Sequence, residues 1–130
     1  MKALVVEDDF VTGMVMQEIL SLYGEVDIAV NGIEGLEKYK ESMEGGTKYD
    51  IIFMDIMMPG MTGQEAVQEI RTYETKLGIH TNSRTTIVMN TALDDFDNIK
   101  KAFKNQVDGY FVKPFDKEKL VNILQEKNLI

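Results

Sequence analysis

Short apolar runs in this chain end, one after another, in side chains that could do chemistry together. Glu7-Asp8-Asp9 follow Ala3-Leu4-Val5-Val6, and Asp55 closes Ile51-Ile52-Phe53-Met54. Thr91-Ala92 follow Ile87–Asn90, and Lys113-Pro114 follow Tyr110-Phe111-Val112. Carboxylates brought together repel one another and lose hydration, so such a cluster wants a cation. Oxygen ligands without cysteine or a paired histidine favour a hard ion, Mg²⁺ or Mn²⁺, which keeps its waters and takes one or two carboxylates. A lysine beside them offsets the same charge. A threonine hydroxyl and an ammonium both bind phosphoryl oxygens, and a carboxylate can itself act as a nucleophile and form an aspartyl phosphate. Phosphoryl transfer is mostly positioning plus charge neutralisation, and this set supplies both.

Taken singly, most of these residues have ordinary explanations. Glu7-Asp8-Asp9 reads as the solvated start of a helix, where anions are favoured. Thr91 reads as a loop or capping hydroxyl and Lys113-Pro114 as a strand end. Asp55 differs, because a carboxylate closing a buried strand is costly without a partner. The joint occurrence, each group in order behind its own apolar run, is what points to a site.

The elements that must position these groups alternate along the chain. Continuous apolar runs at 3–6 and 51–54 suit strands buried on both faces. Shorter strands are expected at Val26–Ala29, Ile87–Asn90 and Tyr110–Val112. Val11, Met14, Val15, Ile19 and Leu22 fall at helical spacing after the first strand. Asn31 with Glu34 opens a second helix running to about Met43, broken by Gly45-Gly46. Thr62 with Glu65 is a capping box that opens a third. The polar stretch Glu74 to Thr85 shows little periodicity and is expected to be mostly extended loop. A fourth helix spans about Asp95–Lys104, its acids early and lysines late as the helix dipole favours. Asp116 caps a last helix with Leu120, Ile123 and Leu124 on one face. Five strand–helix units imply an α/β fold: right-handed crossovers, a parallel sheet and helices on both sides. In such a sheet ligands bind beyond the carboxyl ends of the strands, where every singled-out residue stands.

Composition sets the outer limits. The chain has 130 residues, 44% of them hydrophobic, and no cysteine. One domain with a proper core is expected, without disulfides, thiolate metal sites or cysteine nucleophiles. The formal charge of −8 argues against direct nucleic-acid or anionic-membrane binding. No segment approaches the ~18 apolar residues of a membrane span, and the start does not read as a signal peptide, so a cytoplasmic protein is expected.

With these residues in view, the chain resembles the receiver domains of two-component response regulators. The matching segments are LVVEDD at 4–9, DIIFMDIMMPGMTG at 50–63, NTA at 90–92 and DGYFVKPF at 108–115. The resemblance implies a CheY-like, flavodoxin-like (βα)5 fold with strand order 2-1-3-4-5. It implies that Asp55 is the phosphoacceptor, and that Glu7 and Asp8 hold Mg²⁺ together with Asp55 and the backbone carbonyl of Met57. Thr91 and Lys113 would bind the phosphoryl group, Tyr110 would be the aromatic switch, and Asp9, Ala92 and Pro114 would support them. The Lys113-Pro114 peptide is usually cis in the family. Thr91 moving to the phosphoryl group would open space for Tyr110 and alter the face made by helix four, strand five and helix five.

Met57 and Leu93 flank the expected pocket, and two apolar side chains there would shield the phosphoryl group from water, giving a long-lived adduct. His80, the lone histidine, has no partner ligand and reads as solvent-exposed. Phe103, with Ile99 and Ala102, reads as a core-facing stripe. Only Asn128-Leu129-Ile130 follow the last helix, so a stand-alone receiver is expected. Its phosphodonor would be a histidine kinase or histidine phosphotransfer protein, and its output an unidentified protein target. The chain would be a monomer, dimerising at most when phosphorylated. No turnover enzyme is expected: a phosphohydrolase acting through an aspartyl phosphate wants a second acid two residues after the nucleophile, and Met57 stands there. A phosphate-independent interaction module is the competing reading.

Overall fold

The computed structural model describes residues 1–56, 60–92 and 96–130. Five strands, β1 (Lys2–Val6), β2 (Glu25–Ala29), β3 (Ile51–Asp55), β4 (Thr86–Thr91) and β5 (Gly109–Val112), alternate with five helices. The helices are α1 (Phe10–Leu20), α2 (Gly32–Glu44), α3 (Gly63–Lys76), α4 (Phe96–Ala102) and α5 (Lys117–Glu126). All strand pairings are parallel, in the order β2-β1-β3-β4-β5. This is the doubly wound α/β architecture expected from the alternation.

The two faces of the sheet bury separate apolar layers, and strand alternation decides which residue enters which. Leu4, Val6, Ile52, Met54, Ile87 and Met89 pack towards Tyr39, Val67, Ile70 and Phe103 on one side. Ala3, Val5, Phe53, Val88 and Phe111 pack towards Met16, Leu20, Leu120 and Leu124 on the other. At the carboxyl edge this second face continues as Glu7, Asp55, Asn90 and Lys113, each two residues beyond an apolar member of the layer. One alternation thus sets both the core and the edge where charge collects.

Helix starts are chemically marked. Asp9 accepts from Val11 N in front of α1, Asn31 from Glu34 N in front of α2, and Asp116 from Lys119 N in front of α5. Thr62 and Glu65 form the full reciprocal capping box at α3.

The polar stretch from Glu74 is loop beyond its first three residues: α3 continues to Lys76, Gly78 turns the chain with φ of 74°, and a 3-10 turn covers Thr81–Ser83. Glu74 is buried inside that helix, because Tyr39 and Thr85 bring donors to it from elsewhere. The apolar spacing in α1 marks a real helix, but Val11, Met14 and Val15 face outward while Gly13, Met16 and Leu20 face the sheet. In the α4 stripe, Ile99 and Phe103 are buried but Ala102 is exposed. His80 is exposed, as expected. The residues 94 and 95 expected at the start of α4 lie outside the described residues.

Candidate functional site

Asp55 is brought to the carboxyl edge by β3, whose five residues are all buried. The backbone just beyond it is held by α3. A Cβ on Gly63 would stand 2.0 Å from the Asp55 carbonyl oxygen, so only glycine lets the helix start so close. Glu7 and Asp8 leave β1 next door. Oxygen atoms of Glu7, Asp8 and Asp55 all lie within 4.8 Å of one another, the only such acidic group among the described residues. From the other flank, the Lys113 ammonium donates to Asp55 Oδ1 at 2.9 Å. The Lys113-Pro114 peptide is cis.

The electrostatics follow from this crowding. Burial, and then the neighbouring Asp55 carboxylate, push the Glu7 carboxyl from its ordinary 4.5 up to about 8. Its Oε2 is buried without a hydrogen-bond partner among the described residues, while Oε1 accepts from Asp9 N at 3.2 Å. Burial works against the Lys113 ammonium, but Asp55, Glu7 and Asp8 outweigh it and raise its pKa. An orphaned carboxylate oxygen facing two more carboxylates is a donor set that fits a hard divalent cation. Asp9 is not part of it. Its side chain is spent on Thr12 Oγ1 at 2.8 Å and on Val11 N, and the Thr12 hydroxyl holds its carboxyl below the usual range.

A cavity of about 320 Å³ opens over these groups, lined by Glu7, Asp8, Asp55, Lys113, Phe115 and Asn90 among others. Thr91 ends β4 one residue beyond Asn90, buried, its hydroxyl donating to the Ala92 carbonyl at 3.2 Å. Tyr110 packs against α4. Its hydroxyl donates to the Lys100 carbonyl at 3.4 Å, and its ring meets Phe96 edge-on at 6.0 Å. The two expected pocket-flanking residues, Met57 and Leu93, lie outside the described residues, as does the Met57 carbonyl. Sequence reasoning missed Asn90 as a pocket residue. The available signal was a carboxamide closing an otherwise apolar buried strand.

Residues 3–125 match the family of response regulator receiver domains. The chain belongs to that family. Its relatives include the osmosensing histidine protein kinase SLN1 of Saccharomyces cerevisiae, 36% identical over 127 residues. That match covers 96% of this chain and 10% of SLN1, so the receiver domain is a small part of that relative. Among solved structures, the receiver domain of Ssk1 in complex with the histidine phosphotransfer signalling protein Ypd1, also from Saccharomyces cerevisiae, superposes with a TM-score of 0.85. It is 27% identical, covering 97% of this chain and 87% of that one. The receiver domain of the sensor histidine kinase PA1611 from Pseudomonas aeruginosa has a magnesium ion coordinated in its active-site cleft. It superposes with a TM-score of 0.75 at 28% identity, covering 96% and 94% of the two chains. This receiver domain therefore belongs to two-component or phosphorelay signalling. Among its described residues, no helix is long and apolar enough to cross a membrane.

Proposed function

We propose that this receiver domain takes a phosphoryl group onto Asp55 from a phosphohistidine of a kinase or phosphotransfer protein. The observation that carries the reading is the Lys113–Asp55 pair at 2.9 Å, inside a cavity that also gathers Glu7 and Asp8. An Asp55 oxygen bonds to phosphorus, and the phosphorus–nitrogen bond breaks with its electron pair left on the imidazole. Lys113 supplies a fixed positive charge beside the acceptor and can follow the new oxygens. Glu7, Asp8 and Asp55 would hold Mg²⁺, with the Met57 carbonyl added by the family resemblance. A bound Mg²⁺ supplies further charge neutralisation.

Thr91 and Tyr110 are the parts that carry the change outward. Among the described residues, the Thr91 hydroxyl has the adjacent Ala92 carbonyl to leave, and Tyr110 rests on α4 through a long hydrogen bond and a ring contact. Both are small commitments, so one new hydrogen bond to a phosphoryl oxygen is enough to rearrange the face made by α4, β5 and α5. Asp9 and Thr12 at the start of α1 line the cavity, and the same helix exposes Phe10, Val11, Met14 and Val15, by 72, 67, 49 and 42%. Exposed apolar side chains on a helix that borders the cavity suit a protein phosphodonor better than a small molecule. The Ypd1 complex of the similar Ssk1 receiver supports a phosphotransfer protein as that partner.

The test is incubation with Mg²⁺ and acetyl phosphate followed by intact mass. One phosphoryl adduct, absent in Asp55→Asn, supports the proposal. Sustained phosphate release from unrelated monoesters would instead indicate a hydrolase. Absence of any adduct would favour a phosphate-independent interaction module.

A further inference from the structure

Asn90 is the buried polar residue that the site described above does not use. It is 2% exposed, and neither Nδ2 nor Oδ1 has a hydrogen-bond partner among the described residues. A buried amide left in that state costs roughly 1–3 kcal/mol. Almost all buried polar groups avoid this, so an orphan invites an explanation. The position is one that apolar chemistry would fill cheaply: Val88, two residues earlier on the same face, is part of the core layer.

The register places the amide beside the acceptor. Asn90 is the Cα partner of Asp55 on β3 and of Phe111 on β5. Neighbouring strands lie about 4.8 Å apart, and partnered residues point to the same face. Lys113, two residues beyond Phe111, reaches across β4 to Asp55 and so passes over the strand that carries Asn90. Asn90 therefore forms the floor of the cavity between the two charged groups.

We propose, resting on the Asp55 phosphorylation reading, that Asn90 is a further catalytic residue of this receiver, acting when the phosphoryl group leaves. In hydrolysis a water oxygen bonds to phosphorus, and the bond from phosphorus to the Asp55 oxygen breaks. The electron pair stays on the Asp55 carboxylate, and the water proton passes to solvent as inorganic phosphate departs. Attack is in line, so the water arrives from the cavity mouth, opposite the floor. Asn90 is on the leaving-group side. Its amide, unpaired among the described residues of the unmodified chain, donates to the Asp55 oxygen only as that oxygen gains charge, which stabilises the transition state more than the acyl phosphate. Asn90 thus sets an upper limit on how long the phosphorylated state lasts.

The test compares wild type with Asn90→Val, Asn90→Ala and Asn90→Thr. Each is phosphorylated with acetyl phosphate and Mg²⁺, freed of donor by desalting, and followed by intact mass; thermal midpoints are recorded on the unmodified proteins. Loss of the amide is expected to slow adduct decay about tenfold in Asn90→Val and Asn90→Ala, the factor one hydrogen bond to a developing charge supplies. Asn90→Thr, which restores a donor, is expected to recover part of the rate. The Asn90→Val midpoint is expected to match or exceed that of wild type, since an unpaired amide is gone. Decay that is unchanged or faster in both Asn90→Val and Asn90→Ala overturns the proposal. A wild type that forms no adduct overturns the phosphorylation reading itself, a distinguishable failure.

Discussion

Lys113 Nζ and Asp55 Oδ1 stand 2.9 Å apart across the width of β4, although 58 residues separate them in the chain. Asp55 is 2% exposed at its side chain and Lys113 38%, so the pair is half in water. Lys113→Met should lower stability by about 1 kcal/mol, below the loss for a fully buried pair because solvent screens the ammonium. Adding Glu7→Gln, which removes a neighbouring carboxyl, should return most of that loss. Urea unfolding of the two variants checks both statements.

Acidity couples to metal binding through Glu7. Its folded value is raised to about 8 against an ordinary 4.5, so its contribution to the metal-free protein is fully present below pH 4.5 and is lost as pH rises through about 8. A divalent cation needs the ionised form and must displace the proton at lower pH. Added Mg²⁺ should therefore raise the thermal midpoint more at pH 8.5 than at pH 6. Calcein-free titration in weak buffer near pH 7 should register proton release. An equal Mg²⁺ effect at both pH values would contradict this assignment of Glu7.

Far from the cavity, Arg71 ties three segments together. Its guanidinium pairs with Glu74 at 2.7 Å and Asp108 at 3.1 Å, and it donates to the Thr85 and Gln106 carbonyls. Glu74 also accepts from the Tyr39 hydroxyl at 2.9 Å and from Thr85 N at 3.0 Å. Burial and Glu74 together push the Tyr39 phenol above its ordinary value. Glu74→Ala would strand all of these donors and should cost about 3 kcal/mol in denaturant unfolding. The rate of adduct formation with acetyl phosphate should remain that of wild type, since the lesion lies at the opposite end of the strands.

The outward face of α1 should separate docking from chemistry. Val11→Glu with Met14→Glu changes two exposed positions and should alter stability by less than about 0.5 kcal/mol. Phosphorylation by acetyl phosphate should be unaffected. Transfer from a phosphohistidine protein should slow at least about tenfold, measured by loss of label from the donor. Equal slowing with both donors would place the effect in the pocket instead.

The sheet and its active edge were legible because the strands are short, buried on both faces and written as unbroken apolar runs. Ile51 to Met54 followed by Asp55 states both the strand and the anomaly at its end. The inward side of α1 was not legible: with Val11, Met14 and Val15 opposite Met16 and Leu20, apolar residues surround the helix and spacing alone selects no face. Glu74 and Asn90 were missed for another reason. A polar residue is buried only when distant segments bring partners or when a cavity needs it, and neither condition is local. Asp9 looked like one more acid in a row, yet its neighbour Thr12 commits it to the helix start.

The cluster formed by Arg71, Arg84 and Asp108 gathers the end of α3, the start of β4 and the segment between α4 and β5. Lys127 near the end of α5 donates to the Asp108 carbonyl as well. The amino-terminal rim of the sheet is thus cross-braced, whereas the opposite rim carries repelling carboxylates and lightly held side chains. Bracing and clustered charge thus sit at opposite ends of the same strands.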